Sequence, residues 1–331
     1  MDIKKSIKIL SILTSIYWIL VLMIYLVANE KFNQTIPNTF LNIYWVVVIG
    51  IFLIIAGYVF WGVRRGLKGK NNLIVSFLTL CTKYSFLLHQ LVNRDFKVKY
   101  KRSVLGVAWS FLNPLLTMGV QYVVFSTIFK SDTPNYPVYL LSGVVLYNFF
   151  IEAVGMGLTS ITGNAQLIKK VYMPKYIYPL SKLLSSLINL GISFIPLIIV
   201  MLITKSPITW SLLLLIFDII CLLVFTFGIM LILATMMTFF QDTQFLWNVL
   251  SMIWMYFTPI FYTDTIIPEK YLKIYHINPL YQYINFARTC IINGTSPEAT
   301  SYIWCILCSL VALVIGLFVF KKNQDKFVLH L

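Results

Sequence analysis

Two short stretches of the sequence place charged side chains beside apolar ones at helical spacing. The first, residues 73–102, carries leucines at helical intervals and ends in a mostly basic run: Arg94, Asp95, Lys97, Lys99, Tyr100, Lys101 and Arg102. A basic amphipathic helix lies in the membrane interface, with its cations toward anionic lipid headgroups. The stretch therefore predicts an interfacial helix in contact with membrane lipids. A plain basic flank of a membrane span is the alternative.

The second stretch, residues 164–175, has the features of a short helix that docks into another protein. Asn164 can cap such a helix, apolar side chains can insert into a partner, and Pro174 ends the helix. The apolar side chains that could insert are those of Leu167, Ile168 and Val171. A solvated charged loop is the alternative.

Nothing in the sequence predicts catalysis or a bound cofactor. His89, His276 and His330 lie far apart and form no metal-ligand spacing or catalytic triad. Residues 66–70 have the glycines and lysine of a phosphate-binding loop, but neither its spacing nor the Ser or Thr that follows it. We therefore expect a protein that is not an enzyme, with no catalytic residue, metal or cofactor of its own.

The elements that position these stretches are membrane helices. Of the 331 residues, 59% are hydrophobic and 11% are charged, whereas a typical soluble domain is about half apolar and roughly a quarter charged. This composition excludes a soluble enzyme and a disordered chain. Eight runs are apolar enough, at about 20 residues per membrane crossing, to be spans: about 8–28, 41–63, 105–129, 137–163, 179–203, 209–238, 245–262 and 302–320.

The net charge of +15 predicts how the spans are oriented. Eight spans place both termini on one side, and 20 of the 26 lysines and arginines fall in segments 1–8, 64–102, 164–182 and 321–331 on that side. Because Lys and Arg concentrate in cytoplasmic loops, both termini are predicted to be cytoplasmic. The basic excess is thus explained by membrane topology, and no nucleic-acid partner is expected.

The apolar runs divide the chain into two parts. Residues 1–70 are predicted to form a two-helix transmembrane hairpin with a basic linker, and residues 71–331 a unit of six spans. Residues 263–300 are too long for a simple turn, so we expect short helices there that dip back into the outer face as a re-entrant segment. Irregular backbone at that depth is tolerated only beside protein or a water-filled path.

Two strings in the six-span unit resemble one protein family. The first string runs from Arg94 to Gly106 and is followed by Trp109 and by residues 113–116 (Asn-Pro-Leu-Leu). It resembles the segment that leads into the first core span of the permease subunit of type-2 ABC exporters of cell-surface polysaccharides. These are the O-antigen, capsule and teichoic acid exporters. The string from Asn164 to Leu180 resembles the family's cytoplasmic coupling helix, which docks on the ATPase. Lys99 and Lys175 replace the usual arginines, and Met173 replaces the usual aromatic residue.

The resemblance covers about residues 71–331 and implies a function. The implied fold is an all-α polytopic membrane protein with the six-span type-2 ABC exporter core, to which this chain adds its N-terminal hairpin. The implied assembly is a homodimer with two ABC ATPase subunits that bind ATP and magnesium. The implied activity is export of a lipid-linked polysaccharide across the bacterial cytoplasmic membrane. The resemblance makes the stretch 73–102 a gate helix and the stretch 164–175 the coupling helix. The ATPase-coupling residues that it implies are Asn164, Gln166, Leu167, Ile168, Lys169, Lys170, Val171, Tyr172, Met173, Pro174 and Lys175.

Aromatic side chains near the span ends have two interpretations. The default is an interfacial belt, in which amphipathic rings sit at headgroup level. The second hypothesis is that some of these aromatic side chains line a transport path, where their flat faces contact passing sugar rings. The candidates for that path are Tyr139, Trp254, Tyr256, Phe257, Phe261 and Tyr262.

Other functions remain as alternatives. Glu152 and Asp218 lie inside predicted spans, where an ionisable group is costly and often functional. Glu152 could therefore serve an ion-gradient-driven flippase or secondary transporter, although a buried and hydrogen-bonded carboxyl is the simpler explanation. A type-2 ABC exporter of a drug or a lipid is the nearest alternative. A membrane-bound glycosyltransferase would need a cluster of acids or histidines, and the sequence has none.

Overall fold

A computed structural model describes residues 84–101, 103–124, 135–170, 173–262 and 275–331, together with Pro268 and Lys270. Nearly all of them belong to the compact unit Leu91–Leu331. These residues are mostly helical and contain no strand. The predicted hairpin and linker at 1–70 lie outside the described residues, so the hairpin stays a prediction.

The described helices follow one another from the predicted gate helix to the C-terminus. In chain order they are α1 Ser85–Tyr100, α2 Ala108–Val123, α3 Tyr136–Leu158, α4 Ala165–Lys170, α5 Ile177–Ile203, α6 Leu215–Phe239, α7 Thr243–Tyr256, α8 Pro279–Ile291, α9 Ala299–Asn323 and α10 Phe327–His330. Short 3-10 turns precede three of them, at Thr162–Asn164, Trp210–Leu214 and Gln324–Lys326.

Four helical stretches in the described residues are long and apolar enough to cross a membrane: Tyr136–Leu158, Ile177–Ile203, Trp210–Phe239 and Ala299–His330. They match four of the predicted spans. The predicted spans at about 105–129 and 245–262 correspond to α2 and α7, which have 16 and 14 residues. Both are shorter than the roughly 20 residues of a full crossing. A core of six spans therefore stays a prediction.

Helix α3 lies at the centre of the bundle. It contacts α2, α5, α6, α7 and α8, and most of its side chains are buried. A helix that is apolar on all sides is typical of such a position, because every face packs against protein. Polar groups on α3 that lie near the bundle ends can therefore meet side chains from several helices.

Two glycines allow α6 and α9 to cross at very short range. A Cβ added to Gly228 would lie 2.4 Å from the backbone of Ala312, and one added to Gly316 would lie 2.4 Å from the carbonyl oxygen of Gly228. Small residues permit this kind of approach between membrane helices, where van der Waals packing drives association. The crossing ties the last long helix to the bundle.

A glycine turn leads from the predicted gate helix into the bundle. Gly106 has a φ of +51°, a left-handed conformation that other residues rarely adopt. Its amide donates a hydrogen bond of 3.1 Å to the Ser103 hydroxyl. The Ser103–Gly106 part of the family-like string thus has a structural reason, because it forms the turn that connects α1 to α2.

Candidate interfacial and coupling site

Arg94 connects the predicted gate helix to the start of the predicted coupling helix. Its guanidinium donates to Asp95 Oδ1 at 3.0 and 3.2 Å and to Asn164 Oδ1 at 3.1 Å. The Asn164 amide also donates to the Ser160 carbonyl oxygen at 2.7 Å. Asn164 ends the 3-10 turn directly before α4. Arg94 on α1 therefore contacts the residue directly before α4.

Asp95 anchors the same region of α1 to α5. Its side chain is only 5% exposed, and its Oδ2 lies 3.0 Å from the Lys182 ammonium on α5. With Arg94 at 3.0 Å from Oδ1, the carboxylate pairs with two cations. Buried ion pairs require such close partners, because an unpaired buried charge is very unfavourable. Asp95 therefore holds α1 against α5 at this level.

A second polar contact lies near the end of α1. The Lys99 ammonium donates to Glu152 Oε1 on α3 at 2.8 Å, and the Asn189 amide on α5 donates to the same oxygen at 2.6 Å. The Tyr100 hydroxyl donates to Asn189 Oδ1 at 2.9 Å and is hydrogen-bonded to Ser110 on α2. Four helices thus meet in one network.

The remaining residues of the predicted gate helix have different surroundings. Lys97 and Lys101 are exposed, as expected for cations that face headgroups or water. Arg102 lies outside the described residues. Basic residues on α1 therefore divide into those that bond to other helices and those that stay free for the interface.

The predicted coupling helix exposes its polar side chains. Gln166, Lys169 and Lys170 are exposed, Leu167 is half-buried, and Ile168 is only 8% exposed. Met173 is buried and Pro174 half-buried, while Val171 and Tyr172 lie outside the described residues. Within this chain, the face of α4 available to a partner is therefore largely basic and polar, and Ile168 packs inside the unit.

Three side chains hold the backbone that follows α7. Arg288 on α8 donates to the carbonyl oxygens of Pro259 at 2.7 Å, Ile260 at 2.9 Å and Tyr139 at 3.2 Å. The hydroxyl of Tyr139 donates to the Tyr262 carbonyl oxygen at 2.7 Å, and that of Tyr136 donates to Phe261 at 2.6 Å. We call Arg288, Tyr136 and Tyr139 the carbonyl clamp.

The clamp satisfies backbone groups that have no helical partner. Residues after Phe257 leave the helix, and Pro259 cannot donate a backbone hydrogen bond. Unsatisfied carbonyls are costly in a membrane environment. The Arg288 guanidinium also lies 3.5 Å above the Tyr139 ring. Tyr139, a predicted path residue, is therefore a buried member of the clamp.

The other predicted path residues lie around the end of α7. Tyr256 and Phe257 are exposed, at 60% and 55%, whereas Phe261 and Tyr262 are half-buried. Trp254 and Phe257 line an open, mainly apolar groove of about 420 Å³, together with Leu250, Ile253, Tyr275, Ile277, Asn278 and Pro279. The Trp254 indole donates to Asn278 Oδ1 at 2.8 Å, which places it at the groove wall.

Sequence reasoning did not identify three residues that organise these contacts. Lys182 and Arg288 were counted only as charges, and Asn189 not at all. The available signal for Lys182 and Asn189 was their polarity inside an apolar run. For Arg288 it was a lone arginine in a segment rich in aromatic residues. Within the described residues, no three His, Cys, Asp or Glu side chains are grouped so as to hold a metal.

Comparisons with known proteins place these contacts in a family context. Residues 86–292 match the model for the ABC-2 type transporter family. The chain is 33% identical over 250 residues to the O-antigen export system permease protein RfbA of Klebsiella pneumoniae, which covers 73% of this chain and 93% of that protein.

Two further relatives are more distant. The O-antigen export system permease protein RfbA of Myxococcus xanthus is 28% identical over 249 residues, covering 74% of this chain and 95% of that protein. The polysialic acid transport protein KpsM of Escherichia coli is 23% identical over 248 residues, covering 70% and 91%. The family match includes both the Arg94–Asp95 region and the predicted coupling helix.

Proposed function

Because this chain belongs to the ABC-2 type transporter family, we propose that it is the membrane subunit of an ATP-driven exporter that moves a polysaccharide across the bacterial cytoplasmic membrane. The resemblance predicted from the two strings is confirmed. The O-antigen and polysialic acid permeases among its relatives support a surface polysaccharide as substrate. An O-antigen, a teichoic acid or a capsule, carried on a lipid, is the proposed cargo.

The contact between Arg94 and Asn164 carries the mechanistic part of the proposal. Two copies of the chain form the path, and two ATPase subunits dock on their coupling helices. ATP and magnesium bind to those ATPase subunits, which supply the chemical energy. Closure of the ATPase pair moves α4. Asn164 passes this displacement to Arg94 on α1 through their hydrogen bond of 3.1 Å. The gate helix then admits the lipid-linked end of the polysaccharide.

The orientation of the chain fits this scheme. The cytoplasmic side is the one that carries α4 and the lysine-rich ends of α1 and α9. The groove beside Trp254 and Phe257 lies at the opposite end of α7 from its connection to α6. Its aromatic walls suit the apolar faces of sugar rings. Export would then run from the basic end of the bundle toward the aromatic groove.

Charge reversal on the exposed face of α4 tests ATPase docking. We expect the double variant Lys169→Glu, Lys170→Glu to lose at least tenfold in ATPase binding, because charged interface groups steer and select partners. The measurements are co-purification with the ATPase subunit and the amount of polysaccharide at the cell surface. The matched control is Lys321→Glu, Lys322→Glu, two adjacent exposed lysines at the same end of the bundle. Equal ATPase binding by both double variants would contradict the docking role of α4.

A second candidate function is transport driven by an ion gradient, which Glu152 would serve. The hydrogen bonds from Lys99 and Asn189 instead support an anchoring role for its carboxylate. Both side chains of the ion pair are about one-third exposed, so the pair contributes at most about 1 kcal/mol.

Variants at the two ends of this pair separate the functions. If Glu152 is an anchor, Glu152→Gln and Lys99→Met should each reduce export no more than about fivefold, which corresponds to about 1 kcal/mol. The double variant should be no worse than either single variant. Transport that is abolished by Glu152→Gln, unaffected by Lys99→Met and independent of the ATPase would support ion coupling instead.

A further inference from the structure

The C-terminal segment of the chain packs beside the coupling helix. After α9 the chain makes a 3-10 turn at Gln324–Lys326 and ends in the short helix α10. Helix α10 contacts both α4 and α6. The end of the last long helix and the coupling helix are therefore neighbours, although they are far apart in sequence.

A buried aromatic ring fixes the C-terminal segment in place. Phe327 is completely buried. Its ring lies edge-on to Phe320 of α9, with centroids 5.2 Å apart, and to Phe239 at the end of α6, 6.0 Å away. The His330 ring also contacts Phe239 at 4.8 Å. Edge-to-face pairs of this kind give a specific packing geometry, so α10 is a docked element.

Lys175 joins this segment to the chain that leaves α4. Its ammonium donates to the carbonyl oxygen of Gln324 and lies 5.7 Å from the centre of the Phe327 ring. The Gln324 carbonyl lies at the C-terminal end of α9, where it also accepts the Phe327 amide, and the negative end of a helix dipole attracts cations. The aromatic face adds a second favourable contact for the same charge. Lys175 follows Pro174 and lies five residues after Lys170, where α4 ends, so the cation is close to α4 along the chain.

We propose that Lys175 and Phe327 are positioning residues that brace the coupling helix against the C-terminal segment. This inference rests on the proposed function of α4 as the ATPase-docking helix. Displacement of α4 then reaches α9 through Lys175 and α10, in addition to reaching α1 through Arg94. Without the brace, the ATPase still binds and hydrolyses ATP, but less of the displacement moves the bundle.

Substitution of Lys175 tests the brace. Lys175→Met removes the charge and its hydrogen bond to Gln324 while keeping most of the side-chain length. We expect it to lower polysaccharide export per ATP hydrolysed by about fivefold or more, in the complete permease and ATPase complex. Lys175→Arg keeps a cation that can donate to a carbonyl and stack on a ring, and we expect it to retain at least half of wild-type coupling. Lys322→Met, which removes an exposed charge at the end of α9, should behave as wild type.

Limited trypsin digestion gives a readout that does not require transport. In the purified permease in lipid nanodiscs, cleavage after Lys169 or Lys170 should be about fivefold faster in Lys175→Met than in wild type or Lys322→Met. The reason is that α4 must open locally to enter the protease. Cleavage sites are assigned by mass spectrometry. A fast-cleaved Lys175→Arg variant would contradict the importance of the cation.

The failure of the brace can be distinguished from the failure of the proposed function. If the wild-type complex exports and Lys175→Met matches it in both coupling and digestion, only the brace is wrong. If wild-type permease neither binds an ATPase nor exports a polysaccharide, the proposed function is wrong, and the brace is overturned with it.

Discussion

Replacing Arg288 with methionine is expected to destabilise the folded chain by about 3 kcal/mol. The variant loses three hydrogen bonds to buried carbonyl oxygens, each contributing on the order of 1 kcal/mol. The carbonyls of Pro259 and Ile260 follow the end of α7, where no helical amide can replace the guanidinium, and the carbonyl of Tyr139 lies on α3. The midpoint of thermal unfolding in lipid nanodiscs should fall by roughly 6–12 °C, at about 2–4 °C per kcal/mol.

Two further variants define how the clamp works. Arg288→Lys keeps the charge but lacks the planar fork that reaches several carbonyls, so its unfolding midpoint should lie between those of wild type and Arg288→Met. Tyr136→Phe removes one hydrogen bond, to Phe261, and should cost about 1 kcal/mol. An Arg288→Met protein that unfolds at the wild-type temperature would show that the clamp contributes no stability.

Replacing Asp95 with alanine is expected to reduce polysaccharide export at least tenfold. Its carboxylate lies between Arg94 and Lys182 with only 5% of its side chain exposed. Removing one partner from a buried pair costs about 3–5 kcal/mol, mostly because a charge is left unpaired. We expect the lower end of that range, because Arg94 is 45% exposed and can be hydrated. Without the carboxylate, α1 is released from α5, and Arg94 is no longer held in position to contact Asn164.

Lys182 provides the control for this prediction. In the double variant Asp95→Ala, Lys182→Met, the unpaired ammonium is removed, so export should recover in part relative to Asp95→Ala. Immunoblots of membrane fractions separate loss of transport from loss of protein. Normal export by Asp95→Ala, or additive losses in the double variant, would show that the two residues act independently.

The gate and coupling segments could be proposed from the sequence because their signals are local. The cations of α1 follow an apolar helical stripe, and the proposed coupling segment runs from Asn164 to Pro174, residue types that favour helix ends. Four long spans were also predictable, since a run of about 20 apolar residues needs no knowledge of its neighbours. The family resemblance depended on the same local strings, and the comparisons confirm it.

Individual side-chain roles were less predictable. Leu167 and Ile168 share the apolar character of a docking surface, yet Ile168 is buried within the chain and the exposed positions on α4 are Gln166, Lys169 and Lys170. Tyr139 and Tyr256 are both aromatic residues near the ends of helices. One is buried in the carbonyl clamp and the other is largely exposed. Residue type does not distinguish these outcomes, because they depend on which helix face meets a neighbour.

The sequence by itself determined that this protein is a helical membrane protein with a basic end, and two of its strings resemble a permease family to which the comparisons assign it. Composition, periodicity and charge distribution are properties of neighbouring residues, and they suffice for the helical membrane character and the basic end. Only the tertiary structure decided that Arg94 contacts Asn164, that Lys175 contacts Phe327, and that Arg288 holds a carbonyl 149 residues away. Such pairs depend on the rotation and depth of packed helices, which no local pattern specifies.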